Sequence, residues 1–175
     1  MKDFSELTTI RRSHRKFTDE RVSDEQLRTI MRSALMAPSS KGLHSYAFVT
    51  VTDKEKIEVL AHCKDMGSEL LFGAPAAIVV LGEPAVSDAW IEDASVAATH
   101  ILLQAEDLGL GACWVQVRER KDKEGRLAED NVRQLLGIPE DMRILCIVAL
   151  GHKGSERKPQ NEERLKWDRV HAEQW

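Results

Sequence analysis

The stretch Ile10–Phe17 reads Ile-Arg-Arg-Ser-His-Arg-Lys-Phe and sets four fixed cations, one histidine and one hydroxyl between two apolar residues. Arginine carries a fork of donors, and a serine hydroxyl among arginines adds a donor of another kind; together they can clamp a phosphate. The same residues also read as a cationic helix end. Arg11 and Arg15 stand one helical turn apart, as do Arg12 and Lys16. Asp3 and Glu6 have capping-box spacing for a helix starting near Asp3, with Leu7 and Ile10 facing inward. Positive charge suits the C-terminal end of such a helix. Both readings stand at this point.

Composition narrows the choice of anion. The 175 residues fit one domain, 42% of them hydrophobic and 31% charged, which excludes a disordered chain. A net charge of −4 argues against a general nucleic-acid binder, which needs a basic face. A local arginine cluster in an acidic chain points to a small anion instead. Cys63, Cys113 and Cys146 have no metal-ligand spacing and an odd count. Cys113 and Cys146 lie in apolar runs and read as reduced core residues. No signal peptide opens the chain and no apolar run is long enough to span a bilayer, so a cytoplasmic location is expected.

The elements that must position these residues follow from periodicity. Ser23 to Gln26 is a capping box ahead of a helix with Leu27, Ile30, Met31, Ala34 and Leu35 inward, ending near Ala37 because Pro38 follows. Residues 38–42, Pro-Ser-Ser-Lys-Gly, read as a connector. Residues 46–52 and 76–81 read as strands, with an Asp53-capped helix between them running to about Lys64. From Ser87 to Leu108, apolar residues fall at Trp90, Ala94, Ala97, Ile101, Ala105 and Leu108, and Val96, Ala98, Leu102 and Leu103 add a second apolar face. A helix apolar on two faces belongs in a core or an interface. Gly109 supplies its left-handed cap. A strand over 111–117, a helix over 127–136 stopped by Gly137 and Pro139, and an apolar strand over 142–150 complete the pattern. The polar tail 155–175, with Leu165, Trp167, Val170 and Trp175 as isolated anchors, needs another surface, and a symmetry mate is the simplest one. No Gly-rich nucleotide loop, catalytic triad spacing or metal-ligand pattern among the six histidines is present.

Four features occur together: Arg-Arg-Ser-His-Arg-Lys-Phe at 11–17, Ala-Pro-Ser-Ser at 37–40, a long Ala-rich helix ending in Gly-Leu-Gly-Ala-Cys-Trp at 109–114, and Gly-His-Lys-Gly-Ser-Glu-Arg-Lys-Pro at 151–159. In this order the chain resembles the short form of the nitroreductase family of FMN-dependent oxidoreductases, over nearly its whole length. The resemblance implies an α+β fold, a mostly antiparallel sheet flanked by helices. It implies one domain over 1–175, in a homodimer whose C-terminal arms (154–175) embrace the partner. It implies FMN as cofactor, with Arg11 and Ser13 at the phosphate, Arg12 also touching the FMN, and Arg15 at the pyrimidine edge of the ring. Pro38, Ser39 and Ser40 would reach the flavin from the other subunit. Trp114, Val115 and Gln116 would lie along the ring, with the Gln116 backbone N–H facing N5. Lys153, Arg157 and Lys158 are candidates for the second half of the phosphate clamp.

The chain departs from the family where Asn-x-Gln-Pro-Trp is usual: Gly42, Leu43, His44, Ser45 and Tyr46 stand there. The missing Asn removes a polar contact near the flavin. The activity implied is hydride transfer from NADH or NADPH through flavin N5 to a small-molecule acceptor such as a nitroaromatic or quinone, in a ping-pong cycle. The flavin supplies the chemistry, so no acid or base side chain is nominated. No nucleic acid, membrane or metal is implied. Alternatives are dehalogenation, flavin reduction, a flavin-binding regulator without turnover, or a helical interaction protein whose arginines meet an acidic partner.

Overall fold

The computed structural model describes residues 3–175. Its centre is a four-stranded sheet of β1 (Tyr46–Val51), β2 (Ala76–Gly82), β3 (Leu110–Gln116) and β4 (Arg143–His152). The spatial order is β1-β2-β4-β3 and every ladder is antiparallel. β2 is buried along its whole length and β4 at all but its two ends, as their unbroken apolar runs require. β1 and β3 are the two edges.

Helices cover both faces. On one face α2 (Asp24–Leu35) and α4 (Trp90–Asp107) pack against Ile78, Val80, Leu110, Ala112, Val148 and Leu150. On the other, α3 (Lys54–Leu60) and α5 (Ala128–Leu136) cover Val79, Leu81, Val115, Ile147 and Ala149. Ser23 and Gln26 form the full capping box of α2, and Gly137 ends α5 in the left-handed conformation. Glu129 of α5 is buried and takes Arg143 Nη2 at 2.8 Å and the Ile144 N–H at 2.9 Å, which fixes the start of β4.

Several element ends differ from the sequence reading. The helix expected to reach Lys64 stops at Leu60, because the chain tightens into three-residue turns and Ser68 Oγ bonds the Ala61 carbonyl. The long helix starts at Trp90 rather than Ser87, since Ser87 Oγ accepts the Ala89 N–H in a turn. The last strand runs on to His152, two residues past its expected end at Leu150.

α4 has the two apolar faces expected of it. Ala94, Ala97, Ala98, Ile101 and Ala105 are buried against the sheet and α2, whereas Val96 is exposed and Leu102 and Leu103 are half-buried. Leu35 and Met36 at the end of α2 are exposed as well, 60% and 61%.

Candidate functional site

The arginine stretch is not a helix end. Helix α1 (Phe4–Ile10) closes at Ile10, and Arg11 is its C-cap with an extended backbone. The one-turn spacings of Arg11/Arg15 and Arg12/Lys16 therefore have no helix to realise them. The chain is instead strapped to the sheet. Ser13 bridges Ala112 in parallel and the His14 N–H donates to the Ala112 carbonyl at 3.0 Å. Phe17 then bridges Lys153, and the Thr18 N–H reaches the His152 carbonyl at 3.0 Å. Gly111 admits this close approach, because a Cβ there would lie 2.8 Å from His14 Cβ.

The strap sets Arg11, Ser13 and Arg15 within reach of Cys113. Burial pushes the Cys113 thiol up, and it is drawn back by Arg15, a hydrogen bond with Ser13, and Arg11. Lys64 acts on the same thiol, a cation that sequence reasoning missed because it sat in an assumed helix. Lys64 also lines a cleft of about 880 Å³ between the α3 end and the 122–135 stretch, with His62, Glu69, Phe72 and Arg126 among its walls.

Beyond the strap the β3 edge is open. The Val117 N–H donates to the Leu145 carbonyl, which sets the parity of the ladder. Odd-numbered residues of β3 therefore bond β4, and even-numbered ones turn their N–H and C=O groups outward. The bond from the His14 N–H to the Ala112 carbonyl obeys the same parity. The Trp114 and Gln116 N–H groups thus face the open side. Their side chains are linked, Trp114 Nε1 to Gln116 Oε1 at 2.9 Å and Gln116 Nε2 to the Arg118 carbonyl at 3.1 Å. The Val115 side chain is buried, so it offers the edge no side chain.

The turn after β4 divides its cations. Lys153 Nζ sits 2.5 Å from Glu106 Oε1, a buried carboxylate at the end of α4. Arg12, expected to touch cofactor, donates its guanidinium to the Lys158 and Pro159 carbonyls. The Gln160 N–H then bonds the Thr9 carbonyl at 2.8 Å, so the base of the tail lies on its own chain. Arg157 and Lys158 are exposed. His14 is buried with Nδ1 unpartnered; burial holds its pKa down, Lys153 adds to this and Glu106 opposes it.

The Pro38–Ser40 loop is a built object rather than a plain connector. The Tyr46 hydroxyl donates to the Ala37 carbonyl at 2.8 Å and meets His44 Nδ1 at 2.8 Å. Ser39 Oγ accepts the His44 N–H at 2.9 Å. Lys41, Gly42 and His44 are all left-handed, with φ of 52°, 67° and 49°. The family departures Gly42, His44 and Tyr46 are therefore what shapes the loop. Asp93 of α4, a residue the sequence analysis did not single out, accepts the Ser40 N–H and the Ser45 hydroxyl, each at 2.7 Å. The loop leads into β1, at the opposite edge of the sheet from β3. Three strand spacings, about 14 Å, separate those edges.

Among the described residues no group of three His, Cys, Asp or Glu is placed to hold a metal, and no helix is long and apolar enough to cross a membrane. Cys63, Cys113 and Cys146 are free and buried.

Comparison with known proteins gives a consistent answer. The nitroreductase family model matches residues 9–69 and 58–152. The structure of an FMN-dependent nitroreductase from Clostridium difficile R20291 superposes with a TM-score of 0.94 at 41% identity, covering 97% of this chain and 98% of that one. A protein of Archaeoglobus fulgidus, provisionally named NADH dehydrogenase/NAD(P)H nitroreductase, is 34% identical over 180 residues and covers both chains entirely. An NADPH-flavin oxidoreductase of Vibrio harveyi is 30% identical over 94% of this chain and 71% of its own.

Proposed function

The chain belongs to the nitroreductase family, and on that premise we propose that it is an FMN-dependent oxidoreductase working as a homodimer. Bound FMN would relay a hydride from NADH or NADPH to an electron acceptor such as a nitroaromatic or quinone, donor and acceptor taking the same place in turn. The observation that carries this reading is the strapping of the Arg11–Arg15 segment onto β3 at Ala112, with Arg15, Ser13 and Arg11 all acting on the Cys113 thiol, along a strand edge whose Gln116 N–H turns outward.

The donor set fits the cofactor. Arg11 and the Ser13 hydroxyl supply charge-assisted bonds to a terminal phosphate. Arg15 puts a cation at the pyrimidine edge, where a reduced flavin carries negative charge. The Gln116 N–H is free to donate to N5, with Trp114 and Val115 completing the edge along the ring. Arg157, whose charge reaches His14 on the strap, is better placed than Lys153 to close the phosphate clamp, since Lys153 is held by Glu106. Lys158 stands next to it, and its own backbone carbonyl holds Arg12.

Pro38, Ser39 and Ser40 belong to the ring only if a second chain brings them. Within one chain they lie by the β1 edge and the arginines by the β3 edge. The exposed Val96 face of α4 and the exposed tail anchors Leu165, Trp167, Val170 and Trp175 supply apolar surface for such a pairing. A cytoplasmic location accords with three free thiols.

An absorbance spectrum of the pure protein with and without NADH tests the reading. A flavin spectrum that bleaches with NADH or NADPH and returns on adding a quinone supports it; a colourless protein that takes up no FMN ends it. The relative named NADPH-flavin oxidoreductase favours free flavin as a second acceptor class, to be assayed beside the quinone.

A further inference from the structure

We propose that Asp93 is a positioning residue of the flavin site, fixing from α4 the Pro38–Ser40 loop that one subunit lends to the flavin of the other. The proposal rests on the two-subunit reading above. The Asp93 side chain is buried and no lysine or arginine pairs with it among the described residues. A buried carboxylate without a cation is costly unless hydrogen bonds answer it. Here Oδ1 takes the Ser40 N–H and Oδ2 takes the Ser45 hydroxyl, each at 2.7 Å. The Ser40 N–H can only donate, so an oxygen must face it, whereas the Ser45 hydroxyl can donate or accept; what the carboxylate adds is charge on both bonds. An asparagine could face Ser40 with its oxygen and Ser45 with its NH₂, keeping both bonds but without the charge.

The bond to Ser40 sets the orientation of a peptide plane. With the Ser40 N–H drawn to α4, the Ser39 carbonyl of the same trans peptide faces the other way, where the Gly42 N–H takes it at 3.1 Å. Ser39 Oγ accepts the His44 N–H and keeps its own proton to donate, and the Ser40 hydroxyl has no partner among the described residues. Two hydroxyls are thus left for a ligand on a loop whose backbone is held from behind. The left-handed Lys41 and His44 are unfavourable on their own and persist only under such restraint. The same helix carries the exposed Val96 face, so α4 ties subunit contact to loop position.

The test is FMN titration of the apo-homodimer. Asp93→Ala is expected to bind FMN roughly tenfold more weakly, the factor of one lost charge-assisted hydrogen bond, and Asp93→Asn, which can keep both bonds without the charge, to lose less. Ser45→Ala, which removes one donor and leaves the Ser40 bond, should show a smaller loss and serves where Asp93→Ala folds poorly. Mixed dimers of Asp93→Ala with Arg11→Ala chains give the readout that a general loss of packing would not. One site then carries both lesions and the other neither, so half the sites should bind FMN as the wild type does. Mixed dimers with no wild-type site overturn the cross-subunit role. Wild-type affinity in Asp93→Ala and Ser45→Ala alike, beside a wild-type protein that binds FMN, overturns the assignment to Asp93 while leaving the flavin reading intact. A wild-type protein that takes up no FMN overturns both.

Discussion

Lys153 Nζ meets Glu106 Oε1 at 2.5 Å, so the first cation after the last strand is tied to the end of the long helix. Glu106 is buried and Lys153 is partly so. The pair closes the corner where α4, β4 and the strap converge, and its two charges act in opposite directions on the buried His14.

That pairing separates two neighbouring cations. Lys153→Ala is expected to cost fold stability, about 3 kcal/mol, the low end for breaking a buried pair because the ammonium keeps some solvent. Arg157→Ala should instead weaken FMN binding and leave thermal unfolding nearly unchanged. Calorimetry and flavin titration on both variants check this; the reverse pattern would move the phosphate contact to Lys153.

Arg11→Ala is expected to weaken FMN binding by roughly 1.5–3 kcal/mol, the worth of a charge-assisted hydrogen bond. Arg15→Ala should lower the flavin midpoint potential with a smaller loss of affinity, because its charge favours the reduced ring. Titration of apo-protein and a dye-equilibrium potential measure the two, and wild-type affinity in Arg11→Ala counts against the clamp.

Gly111→Ala places a Cβ 2.8 Å from His14 Cβ and 3.3 Å from Lys153 Cγ. The strap has to lift from β3, at a cost of about 1–3 kcal/mol for an overpacked site. Urea unfolding reads the loss, and a stability equal to wild type would mean that the strap shifts freely.

Stability should fall with acidification through His14. Burial holds the folded imidazole below its ordinary value of 6.5, with Lys153 and Arg157 acting the same way and Glu106 and a backbone hydrogen bond at Ser155 opposing. The unfolded chain therefore binds the proton first, and stability rises with pH in that window. The loss begins as pH drops through about 6.5 and continues to the folded pKa. Melting temperatures from pH 8 to 5 should show a shallower slope in His14→Leu; an unchanged slope assigns the effect to another group.

Deleting residues 161–175 keeps the Arg12 and Gln160 contacts that hold the base of the tail but removes Trp167 and Trp175. Dimer and FMN are expected to be lost together, followed by light scattering alongside flavin absorbance. A truncated monomer at full flavin occupancy would rule out the shared site.

The helices and strands were legible because each carries its own punctuation: the Ser23 box, the Asp53 cap, the Gly137 stop and the unbroken runs of β2 and β4. The identities of the clustered cations were legible too, but not their conformation. Helical spacing in Arg11–Lys16 is real as a pattern; what overrides it is pairing with Ala112 and His152, residues some hundred positions away. Asp93 was invisible for a related reason. Nothing in its neighbours sets it apart from other surface acids, and its bonds to Ser40 and Ser45 exist only once α4 lies against the loop. The tight turns after Leu60 likewise depend on Ser68 reaching back to Ala61.

The open side of β3 also has a meaning for the newly made chain. A run of outward N–H and C=O groups at Trp114 and Gln116 is a template for any extended peptide, and the strap covers only the Ala112 end of it. On the flavin reading proposed above, that edge is therefore an aggregation hazard until the cofactor, or a second copy, occupies it. Yield of dispersed protein should then track the supply of flavin during expression, with the cofactor acting as a solubility factor before it acts in any turnover.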